Sequence, residues 1–209
     1  MNRIFLQKHI DFLLILAFFA IPPIFNSGAS SYSATMPISA LILQMALCVF
    51  IFIRTKVGKK DFNAFSSVSF VVLLLFLFLN AIIWNFAASF FSDAEETIQK
   101  IPPQGFLETS YTVLCLFISA LYEEMLYRHY FPYEAVSFDS KQKSLPYRVI
   151  SEISIILIFA LGHRYLGFWA VLNAFCAGVI LRLFCVRTGS FISGFVAHFV
   201  YNLIVFFAF

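Results

Sequence analysis

Long apolar runs separated by short polar segments dominate this chain. A membrane-spanning helix needs about 20 mostly apolar residues, and such runs occur seven times, near residues 10–25, 36–53, 65–91, 106–127, 147–163, 167–187 and 190–209. The pattern predicts an all-α fold, a polytopic bundle of about seven transmembrane helices that forms a single membrane domain over residues 1–209. The first run ends at Pro22-Pro23, which cannot continue a helix, and a cleaved signal peptide is the alternative interpretation of it.

Composition supports a membrane protein and excludes three other classes. Of 209 residues, 61% are apolar and only 12% are charged, against about 25% charged residues in ordinary soluble domains. A soluble domain of this size cannot bury so much apolar surface, which excludes a soluble enzyme, a disordered chain and a secreted disulfide scaffold. The cysteines lie inside apolar runs without paired spacing and are predicted to be buried small hydrophobic residues: Cys48, Cys115, Cys176 and Cys185.

Basic residues concentrate in alternate connecting segments. If the amino terminus is cytoplasmic, all of the 14 lysines and arginines except Lys100 and Arg164 fall on the inner side. Such asymmetry follows the positive-inside rule. We therefore predict a multi-pass protein of the cell membrane (plasma or inner membrane) with a cytoplasmic amino terminus.

The run 106–127 ends in a group of ionisable residues. Glu124 and Arg128 are four residues apart, so they share a helix face and can pair, whereas Glu123 is turned about 100° away and has no local cation. An unpaired, partly desolvated carboxylate suits a general base. The alternative is a helix that simply ends at the membrane interface with snorkelling side chains.

Two later helices carry histidines inside or at the end of apolar runs. His163 follows Phe159 by one turn on the same face, where an interfacial or structural histidine is the alternative. His198 and Asn202 share a helix face at a depth of roughly 13 Å from the start of the last helix. Two buried hydrogen-bonding side chains at that depth are hard to explain as packing.

Together these residues supply a carboxylate pair, two imidazoles and an amide. That set can activate a water molecule and stabilise an oxyanion, while a serine or cysteine nucleophile with a matched base and the His-Glu-x-x-His spacing of zinc proteases are absent from the sequence. We expect no cofactor, although two histidines and a glutamate brought together could bind zinc.

Three short motifs occur in order on successive membrane helices. They are Glu-Glu-x-x-x-Arg from Glu123, Phe-x-x-x-His from Phe159 and His-x-x-x-Asn from His198. This ordered triple resembles the CPBP family, which holds the type II CAAX prenyl proteases and the bacteriocin-processing and immunity (Abi) proteins. The resemblance covers about residues 106–209, which carry the core motifs.

The resemblance implies an intramembrane endopeptidase of the glutamate type on the type II CAAX protease fold. Glu123 would be the general base that activates water, and His163 would orient that water or polarise the scissile carbonyl. His198 and Asn202 would form the oxyanion site. The family is often labelled metalloprotease, but the resemblance favours a metal-free mechanism.

The same resemblance gives supporting roles to the remaining motif residues. Glu124, grouped with the catalytic residues, would hold Arg128 and fix the helix, and Phe159 would pack the site. The expected partners are a membrane-associated or C-terminal peptide substrate, whose prenylation is left open, and the lipid bilayer. No nucleic-acid partner is expected.

Helix depth constrains the fourth span. If it ended at Arg128, Glu123 would lie near the cytoplasmic face, while His163 lies roughly 22 Å from Arg148 along its own helix. We therefore predict that the helix continues toward Val136, kinked at Pro132, and that a water-filled cavity opens to the cytoplasm.

Two other function classes stay open at this point. One is a non-catalytic immunity or scaffold protein built on the same fold. The other is an ion- or proton-coupled transporter, although transporters usually carry inverted repeats that this sequence lacks.

Overall fold

The predicted all-α bundle is confirmed by a computed structural model, which describes residues 10–25, 31–55, 67–91, 99–138 and 145–208. The helices in these ranges are α1 (Ile10–Phe25), α2 (Ile38–Thr55), α3 (Ser67–Phe91), α4 (Gly105–Glu123), α5 (Phe131–Phe138), α6 (Leu145–Leu161), α7 (Phe168–Thr188) and α8 (Phe191–Ala208). Two short strands, β1 (Ser31–Tyr32) and β2 (Gln99–Lys100), pair in parallel.

Five of the described helical segments are long and apolar enough to cross a membrane. They are α2, α3, the continuous segment formed by α4 and α5, α7 and α8. Their outward faces expose large apolar side chains, so the chain is an integral membrane protein. The other two predicted spans are shorter: α1 is interrupted before Pro22, and α6 has 17 residues and carries Arg148 and Glu152 in its first half.

The fourth helix continues beyond Arg128, as predicted. A π-helical segment (Glu124–Tyr130) connects α4 directly to α5. The irregularity lies before Pro132 rather than at the proline itself. Pro132 has no N–H to donate to the carbonyl of Arg128 four residues earlier, and the preceding N–H, of Phe131, already reaches back five residues to Leu126.

Prolines disturb α1 in a similar way. The helix widens into a π-helical turn (Leu16–Ala20) and ends in a 3-10 turn (Pro22–Phe25). Pro23 cannot donate to the carbonyl of Phe19, and the hydroxyl of Tyr122 donates to that carbonyl at 3.2 Å. This hydrogen bond joins α1 to α4 one residue before Glu123.

Among the described residues, two larger buried cores and a smaller one around Cys115 organise the bundle. One of the larger cores surrounds the π-helical segment and includes Leu126, Tyr130 and Phe159. The other lies between α3, α7 and α8 and includes Leu77 and Leu181. Three of the four free cysteines are buried and Cys176 is half-buried, which agrees with the prediction for this residue type.

A neutral hydrogen-bond network, here named the amide cluster, crosses the second core. It consists of Asn80, Trp84, Asn173 and Tyr201. Asn80 Nδ2 donates to Asn173 Oδ1 at 2.5 Å, and Trp84 Nε1 donates to Asn80 Oδ1 at 3.1 Å. Asn173 Nδ2 donates to the Tyr201 hydroxyl at 3.0 Å, so the network links α3 through α7 to α8.

Candidate active site

The buried end of α4 meets α8 through a carboxylate and an imidazole. Glu124 is fully buried, and its Oε1 lies 2.9 Å from His198 Nδ1. The same oxygen lies 3.5 Å from Arg128 Nε, so the structure contains the ion pair expected from the four-residue spacing. Glu124 therefore contacts a cation on its own helix and a ring on another helix.

Glu123 lies on the other side of the same imidazole. Its Oε2 is 3.7 Å from His198 Nε2, and its side chain is 20% exposed, whereas that of Glu124 is 0% exposed. The His198 ring therefore stands between two adjacent carboxylates of different environment. We name Glu123, Glu124, Arg128 and His198 the carboxylate–imidazole cluster.

A glycine lets the two helices approach at this point. Gly194 lies one turn before His198, and a Cβ placed there would be 3.2 Å from Glu124 Oε2. Small residues permit close helix approach in membrane bundles. Sequence reasoning missed Gly194, although a glycine four residues before a buried histidine was a usable signal.

Phe159 packs between the cluster and His163. The guanidinium carbon of Arg128 lies 3.9 Å from the centre of the Phe159 ring, within the range of a cation–π contact. Ring centres are 6.3 Å apart for Phe159 and His198, and 4.9 Å apart for Phe159 and His163. The phenyl ring thus touches a member of each of the three motifs.

His163 is half-buried and is held by the end of its own helix. Its Nδ1 lies 3.0 Å from the carbonyl oxygen of Phe159. A carbonyl oxygen only accepts hydrogen bonds, so Nδ1 carries the proton and Nε2 of the neutral ring is an acceptor. This tautomer suits a histidine that orients a water molecule.

Asn202 is the predicted site residue that the described contacts do not join to the others. It is half-buried and follows His198 by one turn on α8. Within the described ranges its side chain makes no hydrogen bond, so its amide is unengaged there.

Several polar atoms of the carboxylate–imidazole cluster are buried without hydrogen-bond partners. Among the described residues they include Glu123 Oε2, Glu124 Oε2 and both terminal nitrogens of Arg128. Native proteins leave few such atoms unsatisfied, and those that exist often have a functional role. The cluster therefore keeps donors and acceptors available.

The pKa values of two tyrosines outside the membrane helices are affected by the charge of Glu123 in this cluster. Sequence reasoning missed both tyrosines. Tyr32 and Tyr165 hydrogen-bond to each other, with ring centres 5.9 Å apart. Burial raises the pKa of the Tyr32 phenol, and the nearby charge of Glu123 adds to the effect. Burial, then Tyr32 and Glu123, raise the pKa of Tyr165. Tyr165 follows His163 by two residues, but nothing in the sequence places Tyr32 near Glu123.

Among the residues that the structure describes, no three histidine, cysteine or acidic side chains converge as a metal site would require. His163 Nδ1 faces a backbone carbonyl, and both nitrogens of His198 face carboxylates.

A cavity of about 290 Å³ lies beside the cluster rather than around it. It is bordered by α1, α5 and α6, with Phe12, Phe131 and Ile155 in its wall and Ser151 and Ser154 as its polar lining. Glu123 does not line it, so it is a different space from the water-filled cavity predicted around that residue.

A family model described as type II CAAX prenyl endopeptidase, Rce1-like, matches residues 105–204. The matched stretch contains every residue of the three motifs. No curated protein and no solved structure gives a significant match to the chain.

Proposed function

Because residues 105–204 of this chain belong to the Rce1-like type II CAAX prenyl endopeptidase family, we propose that the protein is an intramembrane endopeptidase that hydrolyses a peptide bond with a glutamate-activated water. The observation that carries the proposal is the position of the His198 ring, 2.9 Å from Glu124 and 3.7 Å from Glu123.

The two adjacent glutamates divide the work by environment. Glu124 is fully buried and engaged by Arg128 and His198, so its charge orients the imidazole. Glu123 is partly exposed, and its buried Oε2, 3.7 Å from His198 Nε2, has no hydrogen-bond partner among the described residues. That oxygen is the better placed of the two to accept a proton from water.

The attacking water is held between Glu123 and the acceptor nitrogen of His163. As its oxygen bonds to the scissile carbonyl carbon, its proton passes to Glu123. When the tetrahedral intermediate collapses, the carbon–nitrogen bond breaks and the same proton moves to the leaving amine. Glu123 then returns to the carboxylate form.

The negative oxygen of the intermediate is stabilised by donors on α8. When the His198 ring carries both protons, Nδ1–H donates to Glu124. Nε2 lies 3.7 Å from Glu123 Oε2, which is longer than a hydrogen bond, so Nε2–H can donate to the oxyanion. The unengaged amide of Asn202, one turn along the helix, is the second donor. Each fixed donor of this kind typically contributes a factor of about 100 to 1,000 in rate.

The substrate is a membrane-associated or C-terminal peptide. The wall of the cavity between α1, α5 and α6 includes Phe131, whose ring centre lies 5.6 Å from that of Tyr127, the residue before Arg128. An apolar segment of the substrate can lie there while the scissile bond reaches Glu123.

We infer that the chain lies in the cell membrane with its amino terminus in the cytoplasm, because its basic residues concentrate in alternate connecting segments. In that orientation Tyr32 and Tyr165 lie on connections at the outer end of the bundle. Single cysteines introduced at Lys143 and at Arg164, in a background without the native cysteines, would be labelled from opposite sides of the membrane. Labelling of both from one side would contradict the proposed orientation.

The proposal is tested with purified protein in proteoliposomes. The probes are a farnesylated peptide that ends in Cys-aliphatic-aliphatic-any residue and the same peptide without the lipid, with products identified by mass spectrometry. We expect cleavage by the wild type, loss of cleavage in Glu123→Gln and His198→Ala, and unchanged cleavage in Glu108→Gln, an exposed carboxylate on the same helix. Normal cleavage by Glu123→Gln would overturn the mechanism, and cleavage of neither probe by the wild type would overturn the assignment to these substrates.

A further inference from the structure

Arg182 on α7 connects α6 to the irregular part of the fourth span. Its Nε donates to Glu152 Oε2 at 2.6 Å, and its Nη2 pairs with Glu152 Oε1. Its Nη1 donates to the backbone carbonyl of Arg128 at 3.2 Å. All three nitrogens of one guanidinium are therefore used, two by a carboxylate and one by a backbone oxygen.

The accepting carbonyl has a particular reason to need this donor. In a regular helix the carbonyl of residue 128 accepts from the N–H of residue 132, and Pro132 has none. A buried carbonyl that loses its partner costs free energy unless another donor replaces it. Arg182 supplies that donor from a neighbouring helix.

The backbone held in this way carries a side chain of the carboxylate–imidazole cluster. Arg128 Nε lies 3.5 Å from Glu124, and the guanidinium carbon lies 3.9 Å from the Phe159 ring centre. A shift of the Arg128 backbone would therefore move the cation that faces Glu124, and with it the carboxylate that orients His198.

We propose that Arg182 is a positioning residue of the active site, which, oriented by Glu152, holds the Arg128 carbonyl that Pro132 leaves without its helical donor. Neither Arg182 nor Glu152 belongs to the three motifs. The expected effect of Arg182 on catalysis rests on the proposed function. Its expected effect on the position of the Arg128 backbone rests on geometry alone.

The first test is Arg182→Lys. Lysine keeps the charge opposite Glu152, but its single ammonium group cannot reproduce the rigid fork that reaches two acceptors at once. Since small displacements far from the chemistry can cost up to about 100-fold in rate, we expect kcat to fall by about 10-fold or more with KM nearly unchanged. The matched control is Arg148→Lys, an exposed arginine of α6, for which we expect wild-type kinetics.

The second test is rescue by Pro132→Ala. Alanine at this position restores an N–H that can donate to the Arg128 carbonyl within the helix. If Arg182 acts by holding that carbonyl, the double variant Arg182→Lys/Pro132→Ala recovers most of the lost kcat. A loss that Pro132→Ala does not restore would overturn the proposal and leave only the ion pair with Glu152 as the role of Arg182. Unchanged kcat in Arg182→Lys would overturn it as well.

A readout without substrate separates this inference from the proposed function. Amide hydrogen exchange reports how often the backbone of residues 124–134 opens. We expect faster exchange there in Arg182→Lys, normal exchange in Arg148→Lys and restored protection in the double variant. If the wild type cleaves neither probe, the assignment to these substrates fails while exchange still decides the role of Arg182. Equal exchange in Arg182→Lys and the wild type would overturn that role.

Discussion

The bundle contains two polar clusters that differ in charge and in how fully they are paired. The amide cluster (Asn80, Trp84, Asn173 and Tyr201) is neutral, and within the described residues none of its buried side-chain nitrogens or oxygens lacks a partner. The carboxylate–imidazole cluster is charged, and four of its buried polar atoms make no hydrogen bond in the same ranges.

We take this difference to separate a structural role of the amide cluster from the functional role proposed for the carboxylate–imidazole cluster. In a membrane interior a satisfied neutral network is sufficiently explained by helix association. Buried ionisable groups are costly, and folding alone gives no reason to keep their donors and acceptors unpaired. The position of polar residues inside the membrane is therefore less informative than whether their hydrogen-bonding atoms are already used.

The largest expected effect is a loss of stability that distinguishes Glu124 from the adjacent Glu123. Glu124→Gln removes the carboxylate between Arg128 and His198 and leaves a buried cation without its counter-ion. Breaking a buried pair in this way costs about 3–5 kcal/mol. We expect Glu124→Gln to lower the unfolding temperature in detergent micelles and to reduce accumulation of the protein.

The matched control for that variant is Glu123→Gln. Glu123 is partly exposed and its contact with His198 is 3.7 Å long, so its neutralisation should change the unfolding free energy by less than about 1 kcal/mol. Equal destabilisation by both variants would contradict the division between an orienting and a reacting carboxylate.

Gly194→Ala is expected to lower both activity and stability. The added Cβ would lie 3.2 Å from Glu124 Oε2, and that carboxylate is restrained by Arg128 and His198. We expect kcat to fall by about 10- to 100-fold. Displacement of the restrained carboxylate should outweigh the better helix propensity of alanine, which contributes up to about 1 kcal/mol, so the unfolding temperature should fall as well. Kinetics and thermal unfolding on the same preparation check both parts, with Ser193→Ala as the control in the same turn. A stable Gly194→Ala with normal kcat would remove the requirement for close approach.

Much of the fold and part of the site follow from local features of the sequence. Apolar run lengths predict the helices, and the four-residue spacing of Glu124 and Arg128 predicts their ion pair. The need for Glu123 and His163 to lie at compatible depths predicts that the fourth span continues past Arg128. Each of these features depends only on distances along one helix or on depths within a bilayer.

The remaining features depend on contacts between helices, which spacing along the chain does not encode. Pro132 signals an irregular helix, but not that the irregularity lies before it or that Arg182 bonds to the freed carbonyl. Tyr32 lies in β1, which pairs with β2, and its ring packs near that of Tyr165; neither contact is encoded by spacing along the chain. Asn80 and Asn173 stand out in the sequence as polar residues within apolar runs. The sequence does not indicate that they pair with each other.

A substitution in the amide cluster is expected to have an effect of intermediate size, and to change stability but not activity. Asn173→Leu removes the residue that links Asn80 to Tyr201, which leaves both of those side chains without that partner. Interhelical hydrogen bonds of this kind contribute about 0.6–1.7 kcal/mol in membrane proteins, so we expect a loss of about 1–2 kcal/mol with normal kcat per folded molecule. Asn85→Leu, an exposed position on α3, is the control. A loss of kcat without a loss of stability would show that the amide cluster takes part in function after all.

The smallest expected effect is a pH dependence of stability that arises from the phenols of Tyr32 and Tyr165, which lie near the charge of Glu123. Burial and neighbouring charge raise the pKa of Tyr32 and Tyr165 in the folded state, whereas an unfolded tyrosine titrates near pH 10. Their contribution to stability is therefore fully present below about pH 10 and is lost as the pH rises above it, because the unfolded chain then releases these protons first. We expect the unfolding temperature of the wild type to fall between about pH 9 and 11, and the double variant Tyr32→Phe/Tyr165→Phe to fall less steeply. Tyr133→Phe, an exposed tyrosine of α5, should keep the wild-type slope. If the double variant also kept the wild-type slope, the two phenols would not be coupled to the charge of the carboxylate–imidazole cluster. The difference between the two clusters would then be confined to the membrane helices.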